Sequence, residues 1–129
     1  MIGVLELILC DIGNTTYHFL VKEKHKKYFL DEKVPKFDDE IYFVSVNEKA
    51  TKRLLKKNPH AKNINKFLNF ETSYQGLGID RAVACSFQDN CVIVDAGSAI
   101  TVDVMEEGNH KGGFILLGLR RFMKSYPKI

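Results

Sequence analysis

Apolar residues fall in short runs separated by polar turns, a pattern typical of a chain with many strands and few helices. Residues 4–10 form a compact apolar run, and residues 16–21 alternate between apolar and polar positions. Only the polar stretch 11–15 separates them, so the pattern predicts a strand, a tight turn and a second strand. A third strand is predicted over residues 27–30. The β-branched and aromatic run 41–46 suits a central parallel strand.

The rest of the chain mixes both kinds of element. Three helices are predicted, over Glu48–Lys57, residues 81–87 and residues 119–126. The first follows Asn47, a good capping residue, and ends at Asn58 and Pro59. Further strands are predicted over residues 91–94, 100–105 and 112–117, whereas residues 60–79 follow no clear pattern. This mixture predicts an α/β fold.

One segment of the chain has a second copy. Leu-Ile-Leu-Cys-Asp-Ile-Gly-Asn at residues 7–14 resembles Cys-Val-Ile-Val-Asp-Ala-Gly-Ser at residues 91–98. Each copy is an apolar strand that ends in Asp-x-Gly followed by a polar residue. We interpret this as a duplicated domain, in which residues 1–90 hold one complete copy and residues 91–129 the opening of a second, incomplete one. The two turns are then expected to face a shared site.

The first of these turns has the composition of a phosphate-binding loop. Gly13 lets backbone amides approach an anion, and Asn14 and Thr15 add side-chain donors. The carboxylate of Asp11 can hold Mg²⁺ directly or through water. A plain hairpin turn uses the same residue types. The second copy, at Asp95, favours the phosphate loop.

A second dense group of functional side chains lies at residues 74–81. Asp80 can accept a proton from a substrate hydroxyl, and Arg81 can bind an anionic group or orient Asp80. Tyr74 can line a pocket. The alternative is that Asp80 has only a structural role as the N-cap of the following helix, because an aspartate directly before a helix is a common N-cap.

Composition excludes several classes of protein. The 129 residues are 45% hydrophobic and 27% charged, close to ordinary soluble usage. No apolar run approaches the roughly 20 residues that span a bilayer. The net charge of +3 is mild, so neither a membrane nor nucleic acid is expected as a partner. The three cysteines have no metal-ligand spacing and suit a reducing cytoplasm. The four histidines show no ligand spacing either.

Four motifs together resemble one family. DIGNT at 11–15, YQGLGIDR at 74–81, DAGSAITVD at 95–103 and GGFILLG at 112–118 occur in the order seen in type III pantothenate kinases. These belong to the acetate kinase, actin and sugar-kinase-like superfamily, whose members have two ribonuclease-H-like halves with a nucleotide between them. The resemblance implies a cytoplasmic homodimer that uses ATP to phosphorylate pantothenate, the first step of coenzyme A biosynthesis.

The resemblance also implies roles for individual residues. The residues implied to bind ATP are Asp11, Ile12, Gly13, Asn14, Thr15, Thr16, Tyr17, His18 and Ser98. Those implied to contact pantothenate are Tyr74, Gly78, Ile79, Asp80 and Arg81, with Asp80 as the proton acceptor. Asp95 is implied to bind a monovalent cation, potassium or ammonium, in addition to the Mg²⁺ expected at Asp11. Ser98 stands where the family commonly has threonine, and Leu117 lies in a segment where it usually has proline.

The family pattern continues past residue 129, so the chain is expected to be the N-terminal part of such an enzyme, inactive alone and with an exposed apolar patch. A different interpretation is a non-catalytic nucleotide- or partner-binding remnant with an accessory role, as described for family members in transcription. A third is an exopolyphosphatase-like hydrolase of the same superfamily, against which the G-x-D-R segment argues.

Overall fold

Strands and helices are mixed along the chain, which confirms the α/β prediction. The computed structural model describes residues 6–126 and divides into two compact units, Met1–Leu68 and Asn69–Ile129. The compact division thus falls before residue 90, where the repeat placed the end of the first copy. A division into compact units does not test whether two segments arose by duplication. The assignment of residues 1–90 and 91–129 to two copies therefore stays a prediction.

The first unit is built on a five-stranded sheet. Its strands are β1 (Leu7–Ile12), β2 (Thr16–Val21), β3 (Lys24–Phe29), β4 (Glu40–Ser45) and β5 (Lys62–Asn63), in the order β3-β2-β1-β4-β5. The first three strands are antiparallel, whereas β4 runs parallel to both β1 and β5. The expected parallel strand is therefore confirmed. β3 begins three residues earlier than predicted, because polar side chains suffice for a strand whose residues are mostly exposed.

Helix α1 (Glu48–Lys57) has the predicted bounds. The side chain of Asn47 accepts a hydrogen bond from the amide of Ala50 at 3.0 Å, which satisfies one of the free donors at the helix start. Glu48 in the first turn and lysines in the last turn complement the helix dipole. In the stretch without a clear pattern, the structure has β5 and a short 3₁₀ helix, Ile64–Phe67.

The core of the first unit lies between this sheet and α1. The residues buried there are Ile8, Cys10, Ile12, Tyr17, Phe19, Val34, Ile41, Phe43, Ala50 and Leu54. Tyr17 donates its hydroxyl to the carbonyl of Ala50 at 2.8 Å, so its polar end is satisfied inside the core. Asn58 is also fully buried. Its amide oxygen accepts from Phe37 at 2.8 Å and its amide nitrogen donates to Pro35 at 2.9 Å, which holds the β3–β4 connection against the end of α1.

The second unit has a three-stranded antiparallel sheet in the order β6-β7-β8. Its elements are α2 (Ile79–Cys85), β6 (Cys91–Ala96), β7 (Ala99–Glu106), β8 (Asn109–Leu117) and α3 (Leu119–Ser125). β7 and β8 are longer than predicted because a two-residue turn connects them directly. No helix within residues 6–126 has the length and apolar character needed to cross a bilayer.

One face of the β6-β7-β8 sheet is apolar throughout. The strand register puts eight side chains on it, called the apolar sheet face below: Val92, Val94, Ala96, Ile100, Val102, Val104, Phe114 and Leu116. Val92 and Val94 are 61% and 62% exposed, and Phe114 and Leu116 are about half exposed. This agrees with the apolar patch expected from the sequence. Contiguous apolar surface of this kind usually marks a contact with another molecule or segment.

We expect the 129-residue chain to self-associate through the apolar sheet face, since association removes this surface from water. Sedimentation velocity over a range of concentrations measures it. Val94→Lys puts a charge in the middle of the face and is expected to shift the protein towards monomer. Phe87→Lys is the matched control, because Phe87 is 85% exposed in the loop after α2. A chain that stays monomeric at all concentrations would contradict this expectation.

Candidate functional site

In both Asp-x-Gly turns the aspartate lies near the end of a strand, but the turns differ in length, with three residues between β1 and β2 and two between β6 and β7. Asp11 and Asp95 are each the penultimate residue of a six-residue strand, and both are exposed. The amide of Gly13 donates to the carbonyl of Thr16 at 3.0 Å, and the amide of Gly97 donates to Ala99 at 2.8 Å. Each turn therefore presents a carboxylate at the end of a rigid strand next to a short glycine-containing loop.

The predicted ATP-binding residues separate into two groups. Asn14, Thr15 and His18 have exposed side chains, and Thr16 and Gly13 are partly exposed. The side chains of Ile12 and Tyr17 lie fully buried in the core. Both residues are 0% exposed with their backbone included, and each is paired with a strand on either side. Nucleotide binding by residues 11–18 stays a prediction.

Gly118 lies directly against the second turn, with no space between them for a side chain. A Cβ atom at Gly118 would lie 2.3 Å from the carbonyl oxygen of Ser98 and 2.7 Å from that of Gly97. Any side chain at this position would therefore push the turn outward. Gly118 thus sets the position of the turn that carries Asp95 and Ser98, both of which are exposed.

Asp80 lies in the first turn of α2, which begins earlier than the sequence indicated. The N-cap is Gly78, so the interpretation of Asp80 as the capping residue is wrong. A Cβ atom at Gly78 would lie 2.7 Å from Oδ1 of Asp80. The carboxylate is therefore folded back over the helix start, in space that only a glycine leaves open. Asp80 and Ile79 are both half-buried.

The next residue, Arg81, forms a buried ion pair with Asp103 of β7. Nε of Arg81 donates to Oδ2 at 2.9 Å and Nη2 donates to Oδ1 at 2.7 Å. The two side chains are only 4% and 2% exposed. This two-point contact fixes the guanidinium plane, and it ties the start of α2 to the middle of the sheet.

A chain of hydrogen bonds extends this pair to Tyr74. Oδ1 of Asp103 lies 2.8 Å from Nε2 of His110, and Nδ1 of His110 lies 2.6 Å from the hydroxyl of Thr72. That hydroxyl accepts from the amide of Tyr74 at 3.0 Å. The Arg81 guanidinium also stacks over the Tyr74 ring, 4.9 Å from its centroid. The network therefore brings Tyr74 and Arg81, both predicted substrate residues, into direct contact.

The charges in this network stabilise one another. Burial alone raises the pKa of Asp103, but its hydrogen bonds to Arg81 and His110 and their charges outweigh burial, so the pKa lies below its usual value. The hydrogen bonds that Arg81 donates to Asp103 raise the pKa of Arg81, which is already high in water. Burial, followed by the nearby Asp103 charge, raises the pKa of the Cys85 thiol to about 11.

Gly113 of β8 provides the space for the ion pair. It lies opposite Asp103 in the register, and a Cβ there would lie 2.5 Å from the Asp103 carboxylate and 2.8 Å from Arg81. The Gly112-Gly113 pair is therefore part of a strand, not a turn. Sequence reasoning singled out Arg81 but missed Asp103, His110 and Thr72. The one available signal was an aspartate inside an otherwise apolar strand pattern, which calls for a buried partner.

Cys85, Asp103 and His110 lie close enough to be considered as metal ligands, with one ligand atom of each within 4.8 Å of the others. The geometry argues against a metal here. Both oxygens of Asp103 already bind Arg81, and both ring nitrogens of His110 have partners. A divalent cation would also lie beside the Arg81 charge. We assign this cluster a structural role.

Comparison with known proteins agrees with the motifs. The family model for type III pantothenate kinase matches residues 42–126, more than half of the chain. The chain therefore belongs to the type III pantothenate kinase family, as the sequence predicted. Curated relatives with this name include one from Helicobacter hepaticus, 48% identical over 126 residues, and one from Helicobacter pylori, 49% identical over 130 residues.

The chain spans somewhat more than half the length of these relatives. Each match covers 95% of this chain but 60% of the Helicobacter hepaticus protein and 55% of the Helicobacter pylori protein. A crystal structure from Campylobacter jejuni, described as a conserved Baf family transcriptional activator, is similar with a TM-score of 0.77 and 41% identity. It covers 92% of this chain, which in turn covers 58% of that chain.

Removing one partner of the buried ion pair is expected to destabilise the second unit strongly. Asp103→Ala leaves the Arg81 charge buried without a counter-ion, a change that typically costs about 3–5 kcal/mol. The double variant Arg81→Met with Asp103→Leu is expected to recover most of that loss. Urea unfolding of the three proteins measures it. Equal losses in the single and double variants would contradict the role given to the pair.

The same pair predicts an acid dependence of stability. Because the pKa of Asp103 is lower in the folded state, its contribution to the free energy of unfolding is fully present above the unfolded pKa of about 3.9. It is lost as the pH falls through the lower, folded pKa. Between about pH 5 and about pH 2, we expect the free energy of unfolding of Asp103→Asn to change less than that of the wild-type protein. Asp89→Asn, at an exposed carboxylate, is the control. If the free energy of unfolding of Asp103→Asn fell with pH as steeply as that of the wild-type protein, this prediction would be wrong.

Proposed function

We propose that the chain takes part in the ATP-dependent phosphorylation of pantothenate to 4′-phosphopantothenate, the first step of coenzyme A biosynthesis. Family membership supports this reaction. One structural observation carries the proposal for this chain: Asp80 lies at the start of a helix that the buried Arg81–Asp103 pair ties to the sheet, and Arg81 stacks on Tyr74. A proton acceptor needs to be held at a defined position, and this arrangement holds it.

The proposed architecture is a ribonuclease-H-like domain followed by the opening of a second copy. Two features support it. The first unit has the sheet order β3-β2-β1-β4-β5, with three antiparallel strands followed by parallel ones. The second unit also begins its sheet with three antiparallel strands, and its first turn repeats the Asp-x-Gly layout.

Within this function, the turn at residues 11–15 is proposed to hold the phosphates of ATP. The exposed side chains of Asn14 and Thr15 and the backbone around Gly13 offer neutral hydrogen-bond donors. Asp11 is proposed to hold Mg²⁺, and Asp95, next to Ser98, a potassium or ammonium ion. Carboxylate and carbonyl oxygens are the donors that such hard cations prefer. These ions would offset the negative charge of the phosphates.

Asp80 is proposed to accept the proton of the primary hydroxyl of pantothenate while the γ-phosphoryl group moves to that oxygen. Phosphoryl transfer depends mainly on positioning and charge neutralisation. Arg81 contributes to positioning more than to charge, because Asp103 neutralises it. Tyr74, held by Thr72 and stacked on Arg81, is proposed to form a wall of the pantothenate site together with Gly78 and Ile79.

The complete protein is proposed to work as a homodimer in the cytoplasm. The exposed apolar sheet face supports an extensive contact in the whole protein. A regulatory role is the second candidate. It is supported by the description of the Campylobacter jejuni structure as a transcriptional activator, and it would keep the nucleotide turn without turnover.

A chimera tests the kinase proposal directly. Residues 6–126 of this chain replace the matching segment of the Helicobacter hepaticus relative, and ATP- and pantothenate-dependent ADP formation is followed by a coupled assay. We expect activity, and we expect Asp80→Asn to lower kcat by about a hundred- to ten-thousand-fold, the usual contribution of a general base. The variant is expected to melt at the same temperature, because Asp80 does not cap α2.

Asp89→Asn in the same chimera is the matched control and is expected to keep full activity. A folded chimera without pantothenate-dependent turnover would favour the non-catalytic role. An active chimera in which Asp80→Asn keeps its kcat would retain the kinase assignment but remove Asp80 as the base.

A further inference from the structure

Two histidines that are seven residues apart in sequence meet on the surface of the first unit. His18 lies on β2 and His25 on β3, and the register pairs Leu20 with His25 and His18 with Lys27. The two imidazoles are therefore diagonal neighbours on the same face of the sheet. Nδ1 of His25 lies 3.2 Å from Nε2 of His18, and both side chains are exposed.

This distance suits two ligands of one metal ion. With metal–nitrogen bonds of about 2.0–2.1 Å, two imidazole nitrogens lie about 3.3 Å apart at a tetrahedral angle and about 2.9 Å apart at a right angle. The observed separation falls between these values. Two paired β-strands hold the backbones of both residues, so only the exposed rings need to rotate for their lone pairs to converge.

The surroundings are compatible with a cation. Lys27, the direct neighbour of His18 on β3, places its ammonium group over the ring of Phe29, 5.5 Å from the centroid. On the opposite side of His18, the register puts Asp11 of β1. The carboxylate there offsets the local positive charge. Water can fill the remaining coordination positions, since the site is open to solvent.

We propose that His18 and His25 form a surface site for a divalent transition-metal ion of the imidazole-binding group, such as Cu²⁺, Ni²⁺ or Zn²⁺. In the metal-free protein one ring donates a hydrogen bond to the other. When the metal binds, the donor ring adopts its other neutral tautomer, with the proton on the ring nitrogen that faces away, so that both facing nitrogens offer lone pairs to the ion. By the usual order of divalent metals, Cu²⁺ binds more tightly than Ni²⁺ or Zn²⁺. The hard cations Mg²⁺ and K⁺ are not expected to bind here.

The site does not depend on the proposed kinase function, and the 129-residue chain itself is the protein to test. Titration calorimetry with Cu²⁺ and with Zn²⁺ measures affinity and stoichiometry, and line broadening by Cu²⁺ in NMR spectra locates the ion. We expect one ion per chain, with broadening centred on His18 and His25. Losing either ligand is expected to weaken binding by more than about tenfold, the lower end of the cost of losing even an outer-shell partner.

Three alanine variants separate the possible outcomes. His18→Ala and His25→Ala are each expected to weaken binding, whereas His60→Ala, at an exposed histidine outside this face, is expected to bind like wild type. Wild-type affinity in His25→Ala would overturn the proposal, as would the absence of binding to the unaltered chain. Broadening centred on Cys85 and His110 would instead assign the metal to the buried cluster and equally overturn it.

Discussion

The buried pair of Arg81 and Asp103 is the interaction on which the second unit depends. Removing two charges from water is costly, and only a two-point contact with further hydrogen bonds offsets that cost. The structure provides both, since His110 adds a bond to the same carboxylate and Gly113 leaves the space that the guanidinium needs. The pair joins a short helix to the sheet beside the buried side chains of Ala82, Cys85 and Met105. Helix α2 has only seven residues, too few to be stable alone.

The position of the candidate functional residues follows from this constraint. Asp80 precedes Arg81 by one residue, so whatever holds the guanidinium also holds the carboxylate at the helix start. Tyr74 is held twice, through its backbone amide and through its ring. A buried polar network of this kind specifies one arrangement, because any alternative leaves a charge unpaired. An apolar contact of equal area would allow the helix to shift along the sheet, because apolar contacts do not require one relative orientation.

The first unit is organised differently. Its core is apolar and its polar groups inside, Tyr17 and Asn58, are neutral and satisfied by backbone partners. The exposed polar side chains at the β1–β2 turn, such as Asn14 and Thr15, and those of His18 and His25 on β2 and β3 lie outside this core. The apolar sheet face of the second unit is the opposite case. It consists of side chains typical of a core, and they lie at the surface of this chain.

The sequence by itself determined the local elements, the two Asp-x-Gly turns and the family. Apolar periodicity, the Asn47 cap and glycine in turns act over a few residues, so a linear pattern contains them. Tertiary structure alone decided which distant side chains meet. Arg81 and Asp103, or His18 and His25, show no signal in their spacing because strand register and helix docking bring them together. The alternative interpretation of Asp80 as a cap was wrong, because α2 begins at Ile79 with Gly78 as its N-cap.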